Sequence, residues 1–199
     1  DSWELPYEKL DVTDITRVED LPVFDKGCDS SYTWAKKYRH LMHDKSASDI
    51  CDELEALLPH GKFKNPETGQ EVHMAFTGGE PMLRPSQKAI VDIMEEFYRR
   101  ENRPNFVTVE TNGTIPVPQI IDWICVSPKD QLYPGVSIKQ RIGDELKVVY
   151  CGQDLSMYDE LKQGFEHHFL QPCYMEGDSV EQNGRNFAIV ESLVKQSPG

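Results

Sequence analysis

The sequence has no C-x-x-C pair, and its cysteines are few and odd in number: Cys28, Cys51, Cys125, Cys151 and Cys173. That pattern argues against a simple disulfide framework. Basic residues are also scarce, with 21 Lys and Arg against 34 Asp and Glu and a formal net charge of -13. A face able to neutralise a phosphate backbone is not expected, which weighs against nucleic acid as the main partner. No run approaches the roughly 20 apolar residues of a membrane span, so no membrane partner is expected. The first residues, DSWELPYEKLDVTD, lack the charged and apolar blocks of a signal peptide, and a cytoplasmic location is expected. There is no internal repeat and no low-complexity tract.

What is present is an ordinary globular composition spread over 199 residues, enough for a single domain with a real core. Residues 1–27 are acidic and aperiodic, broken by Pro6 and Pro22, and read as a loop or insertion. SASDICDELEALL places Ile50, Leu54, Leu57 and Leu58 on one helical face, with Ser46 or Ser48 available as the N-cap. A buried strand is expected at 72–76 (VHMAF) and a helix at 86–101 capped by Ser86. Further strands are expected at 106–110, 122–127, 145–150 and 167–171, a short helical piece near 154–163, and a last amphipathic helix over 184–196. Alternation of strands and helices implies parallel pairing, and five strands of near-continuous apolar character fit a sheet covered on both faces. A doubly wound sheet and an open, partial α/β barrel both satisfy that pattern. For Cys51, Cys125 and Cys151, in or beside these apolar runs, a small buried hydrophobe is expected. Cys28 stands apart, in the polar, turn-forming stretch DKGCDSSYTW.

The chemistry-bearing residues follow the strands. TGGEP (77–81) follows the first, ETNG (110–113) the second, SPK (127–129) the third and QP (171–172) the last. In parallel α/β folds the C-terminal strand ends form one rim, and active sites are built there. Gly78 and Gly79 allow backbone amides and carbonyls to approach a ligand, and Glu80 can accept from an ammonium group.

Strand–TGGEP–helix resembles the Gly-Gly-Glu-Pro motif of radical S-adenosylmethionine enzymes. More narrowly, CDSSYTW (28–34), FTGGEPML (76–83), VETNGT (109–114), IDWICVSPK (121–129), DELKVV (144–149) and FLQP (169–172) resemble the 7-carboxy-7-deazaguanine synthase family, in the family's order and at similar spacings. The resemblance implies an open parallel α/β barrel spanning 28–199, with 1–27 as the end of an insertion. It implies a radical S-adenosylmethionine-dependent lyase of queuosine biosynthesis. Such an enzyme contracts the ring of 6-carboxy-5,6,7,8-tetrahydropterin to 7-carboxy-7-deazaguanine with loss of ammonia. The implied cofactors are a [4Fe–4S] cluster, S-adenosylmethionine and Mg²⁺. The implied partners are the pterin, an electron donor of the flavodoxin or ferredoxin type, and a second copy in a homodimer.

Carried over by position, Cys28 matches the third cluster cysteine and Ser30 the hydroxyl on Mg²⁺. Thr77 matches a substrate contact. Gly78, Gly79 and Glu80 match the residues that hold the methionine end of the cofactor. Ser127, Pro128 and Lys129, with Gln171, Pro172, Cys173 and Tyr174, match further cofactor contacts. The family's first two cluster cysteines, its Gln-Gly-Glu-Gly segment and its C-terminal Gln-Thr-His-Lys strand are not in this sequence. The expectation is that the chain omits ends of a longer protein, with two cysteines upstream of Asp1. The competing reading is a degenerate member that has lost its cluster and acts as a ligand-binding or regulatory module. A zinc site of Cys28 with His40 and His43 is weaker, because no second cysteine joins them. His167 and His168 are adjacent on a strand and face opposite ways.

Overall fold

The structure is a computed structural model that describes residues 10–22, 36–41, 43–129, 136–173 and 179–196. The chain divides into two compact units, Asp1–Ser46 and Ala47–Gly199. Within the first, short 3-10 turns at Val18–Asp20 and Lys36–Leu41 close a small apolar cluster of Val12, Leu21, Tyr38 and Leu41. Lys37 Nζ donates to the Leu10 carbonyl at 3.0 Å, joining the two described stretches of this unit.

In the second unit, five strands among the described residues form one sheet: β1 (Met74–Phe76), β2 (Val107–Thr111), β3 (Trp123–Val126), β4 (Gly143–Tyr150) and β5 (Phe165–Pro172). Their spatial order is their chain order, and every pairing is parallel. The order decides between the two architectures the sequence left open. A doubly wound sheet reverses its strand order at a switch point; this sheet never reverses, so it winds one way and stays open at β1 and β5. That is the open partial barrel expected from the family resemblance.

One-way winding puts the described covering elements on one face, whereas the apolar strand runs predict cover on both. Val107 and Val109 of β2 pack with Ile90 and Met94 of helix α2 (Arg84–Arg99). Val126, Leu146 and Val148 pack with Tyr158 and Leu161, which lie on a 3-10 turn (Leu155–Tyr158) running into helix α3 (Asp159–Lys162). Helix α1 (Ala47–Leu57) buries Cys51 against Phe63, Ile93 and Phe97 in an outer layer. Burial there pushes the Cys51 thiol up to about 11. Arg100, just past α2, bonds Asp52, Glu55 and Glu96 and clamps α1 to α2. Helix α4 (Val180–Gln196) follows β5. Strand entries are sealed by acids: Asp122 accepts from the Val107 amide at 2.8 Å, and Asp144 from the Ile124 amide at 2.7 Å.

Several local expectations shift. Helix α2 begins at Arg84 rather than at Ser86; Leu83 is its N-cap and makes no side-chain cap. Pro85 sits in the first turn, where its fixed φ suits the helix and its missing N–H removes nothing, so Ser86 is already inside. Strand β1 is shorter than 72–76 because the Val72 amide bonds the Phe63 carbonyl at 2.7 Å, outside the sheet. Cys151 is exposed rather than buried. Strand β4 stops at Tyr150, and Gly152, at φ 93°, turns the chain away.

Two predictions follow from the packing. A Cβ at Gly164 would lie 1.9 Å from the Arg141 carbonyl oxygen, where the turn into β5 crosses the entry of β4. Gly164→Ala should therefore lower stability by about 1–3 kcal/mol in urea unfolding; an unchanged midpoint would contradict the close approach. The Arg99 and Arg100 guanidiniums hold the Glu96 carboxyl down at about 2. Its folded value lies below the unfolded one, so the stability it contributes is complete above the ordinary carboxylate range and is lost as pH falls toward 2. Glu96→Gln should flatten acid unfolding in that window, and a profile matching the parent's would refute the clamp.

Candidate functional site

The face of the sheet opposite the helices carries the functional side chains. Strand alternation and register place Thr77, Thr108, Glu110, Cys125, Ser127, Glu145, Lys147, His167 and Gln171 on it.

At its N-terminal end lies an aromatic tier. His73 meets Phe106 at 5.3 Å, Phe106 meets Trp123 at 6.0 Å, and Trp123 stacks on His167 at 5.6 Å. Trp123 Nε1 donates to Glu145 at 2.9 Å. His168 turns the other way, its ring N–H reaching the Lys162 carbonyl at 3.0 Å, as adjacent strand positions require. Neither histidine therefore shares a site with the other. His40, in the first unit, sits 3.0 Å from the Ile15 carbonyl. Among the described residues no group of three His, Cys, Asp or Glu is arranged to hold a metal ion.

Above the aromatic tier Lys147 Nζ meets Glu110 at 2.9 Å. Burial opposes charge on Lys147, but the Glu110 carboxylate, with Glu145 nearby, outweighs it and holds the ammonium above its ordinary value. Cys125 lies beneath this pair, and burial, reinforced by the two carboxylates against Lys147, pushes its thiol up to about 12. Cys125 is therefore a neutral wall, not a nucleophile. The sequence reading did not single out the Glu110–Lys147 pair. The available signal was a charged residue in the interior of two strands, both at positions opposite the apolar face.

The rim comes next. Gly78 and Gly79 follow β1 with φ of 81° and 53°, and a Cβ built on either meets nothing within 4 Å. Here glycine is needed for the backbone conformation, and the space beside it is open to a ligand. Glu80 is engaged within the protein. Its Oε1 accepts from the Met82 amide at 2.9 Å and the Thr111 hydroxyl at 2.6 Å, and its Oε2 accepts from the Asn112 amide at 2.7 Å. This carboxylate ties the exit of β1 to the exit of β2. Gly113 then turns the chain at φ 76°, with a Cβ position only 2.7 Å from Val126. The Ser127 amide bonds the Thr111 carbonyl at 2.8 Å, and Lys129 Nζ reaches the Ser127 hydroxyl at 3.2 Å. Pro128 is buried beside them. Gln171 and Pro172 end β5, and Cys173 lies just beyond.

Thr77, Gly78, Gly79, Ser127, Lys129, Gln171 and Cys173 thus share one rim, at successive strand ends. Cys28, Ser30 and Tyr174 lie outside the described residues.

No protein-family model matches the chain. A stretch of 102 residues is 43% identical to the 7-carboxy-7-deazaguanine synthase of Bacteroides thetaiotaomicron, covering 51% of this chain and 49% of that protein. A stretch of 141 residues is 42% identical to the enzyme of that name from Burkholderia multivorans, covering 70% and 57%. The one from Bordetella pertussis is 37% identical over 100 residues, covering 50% and 42%. The chain is homologous to the 7-carboxy-7-deazaguanine synthases. It spans about half the length of the curated relatives it matches.

Glu80 holds the shape of the rim in this chain, through its bonds to Met82, Thr111 and Asn112. Glu80→Gln would turn an amide donor toward a backbone N–H, leaving one of them unsatisfied. The expected cost is about 1–3 kcal/mol, with faster hydrogen exchange at the Met82 and Asn112 amides. Unaltered exchange at both amides would show that the carboxylate does not organise the rim.

Proposed function

We propose that this chain carries the rim-forming part of a 7-carboxy-7-deazaguanine synthase. The reaction would be ring contraction of 6-carboxy-5,6,7,8-tetrahydropterin to 7-carboxy-7-deazaguanine with loss of ammonia. The observation that carries the reading is the open Gly78–Gly79 backbone held at the rim by Glu80, in a chain homologous to that family.

S-adenosylmethionine bound with a [4Fe–4S] cluster supplies the radical chemistry of such an enzyme. The residues present suit the cofactor's methionine end. Gly78 and Gly79 offer bare amides and carbonyls to its amino and carboxylate groups, and Glu80 acts as a positioning residue through the loop it fastens. Ser127, Pro128, Lys129, Gln171, Pro172 and Cys173 would meet the remainder of the cofactor, and the same role is assigned to Tyr174, which lies outside the described residues. The cluster is a different matter: Cys28 supplies one thiolate, three are needed for a cluster with one open iron, and the described residues contain no such set. Cys28 serves as one cluster ligand of the full-length protein and Ser30 as a Mg²⁺ ligand.

Thr77, immediately before the glycine pair, is assigned to the substrate. The Glu110–Lys147 pair offers an acceptor and a donor side by side, which suits a pterin with a carboxylate and an amino-pyrimidinone edge. The aromatic tier seals the far end of this face with apolar ring surface. An electron donor of the flavodoxin or ferredoxin type and a second copy of the protein complete the reading.

The test is full-length protein reconstituted anaerobically with iron and sulfide, then supplied with S-adenosylmethionine, reductant, Mg²⁺ and the pterin. Deazaguanine product is expected by mass spectrometry. A preparation that binds no iron and cleaves no S-adenosylmethionine would instead identify a degenerate binding module. Ser30→Ala should raise the Mg²⁺ needed for half-maximal rate about tenfold, the equivalent of roughly 1.4 kcal/mol. An unaltered Mg²⁺ response would remove Ser30 from the metal site.

A further inference from the structure

Two cysteines distant in sequence meet at the rim. Strands β4 and β5 pair in parallel with Val149 opposite Gln171 and Tyr150 opposite Pro172, so the next pair in register is Cys151 and Cys173. The register does continue: the Cys173 amide donates to the Tyr150 carbonyl at 3.1 Å, one more rung beyond both strand ends. Paired strands stand about 4.8 Å apart, inside the Cα separation of about 4.4–6.8 Å that a disulfide spans. Strand alternation points both side chains to the functional face, and the two thiols are within hydrogen-bond reach of each other. Both are present as thiols, Cys151 exposed and Cys173 partly so.

The surroundings suit a bond that opens and closes. Cys151 sits in a bend, and Gly152 beside it has open space around its Cα, so the backbone there can adjust to the torsion a disulfide needs. On the other side Cys173 is held, because Asn186 of α4 donates to its carbonyl at 3.2 Å. One partner is thus fixed and the other adaptable. Burial raises the Cys151 thiol to about 11, and two of the further causes are contacts with Cys173 itself, while Lys129 pulls the other way. The other described cysteines are shielded: Cys51 and Cys125 are buried.

We propose that Cys151 and Cys173 form a reversible dithiol–disulfide site, closed by a small disulfide such as oxidised glutathione. One cysteine thiolate attacks the small disulfide, a protein–glutathione bond forms and one glutathione leaves. The second cysteine then attacks the protein sulfur and expels the other glutathione. The protein loses two hydrogens and two electrons, and one oxidised glutathione becomes two reduced ones. Closure ties the exits of β4 and β5 covalently. On the reading of the rim as a cofactor site, it also fixes the segment that begins at Gln171.

The test needs no activity. Full-length protein is equilibrated with glutathione buffers of rising oxidised fraction, quenched with an alkylating reagent, and digested with trypsin. Cys151 lies in the tryptic peptide 148–162 and Cys173 in 163–185. The expected result is these two peptides joined, at a yield independent of protein concentration, and separated again by dithiothreitol. Cys151→Ser should leave glutathione attached at Cys173 with no joined peptides, and circular dichroism checks that this variant is folded. Recovery of both cysteines separately alkylated at every buffer ratio would overturn the proposal, as would a bond from either to Cys28 or between two chains. Since the readout is peptide mass, a missing disulfide leaves the proposed enzymatic function standing, and a missing product leaves the disulfide standing.

Discussion

The structure depends on a sheet whose strands are laid down in chain order, all parallel. Each strand must be carried back over the same side before the next can pair. The covering side chains therefore accumulate on one face, where Val107, Val109, Val126, Leu146 and Val148 meet α2 and α3 and the turns around them. Among the described residues these crossovers place no helix on the other face. It has to satisfy its own polar groups, and it does so with Trp123 on Glu145 and Lys147 on Glu110. A face already populated by paired charges and rings is cheap to convert to ligand binding. A ligand there exchanges one set of polar partners for another instead of breaking a packed core.

The rim shows how a flexible motif is held. Two consecutive positive-φ glycines lose much conformational freedom on ordering, and neither has a side chain with which to recover it. Glu80 offsets that loss by accepting from three donors, two of them on the neighbouring strand's exit. The Ser127 amide extends the connection to a third strand through the Thr111 carbonyl. Thr111 is therefore used on both sides: its hydroxyl serves β1's loop and its carbonyl serves β3. Three successive strand ends become one hydrogen-bonded edge before any ligand is considered.

Much of this was readable from sequence because it is local. Buried strands announce themselves as apolar runs, and TGGEP, ETNG and SPK mark where they stop. Boundaries failed where a competing local partner took the backbone, as when Phe63 captured the amide of Val72 or Pro85 moved the start of α2 ahead of Ser86. The family motifs pointed to the open barrel that the strand order shows, but the apolar pattern alone did not separate it from a doubly wound sheet, because strand order is settled by contacts between distant segments. The same holds for Glu80. Sequence alone presents a rim carboxylate open to an ammonium group, and only the fold supplies Thr111 and Asn112 as its partners.

The cysteines carry that lesson furthest. By composition, Cys51, Cys125 and Cys151 are alike, each beside an apolar run. Depth separates them: Cys125 lies under a charged pair with its thiol pushed up to about 12, whereas Cys151 is one residue past the end of its strand and exposed. What makes Cys151 chemically distinctive is register, a property of two strands at once. A shift of one residue between β4 and β5 would turn Cys173 to the opposite face and leave both thiols without a neighbour. The seven register pairs from Gly143–Phe165 to Tyr150–Pro172 thus fix the pairing of two thiols that no spacing rule would connect. The same ladder that builds the rim brings its redox-capable groups together.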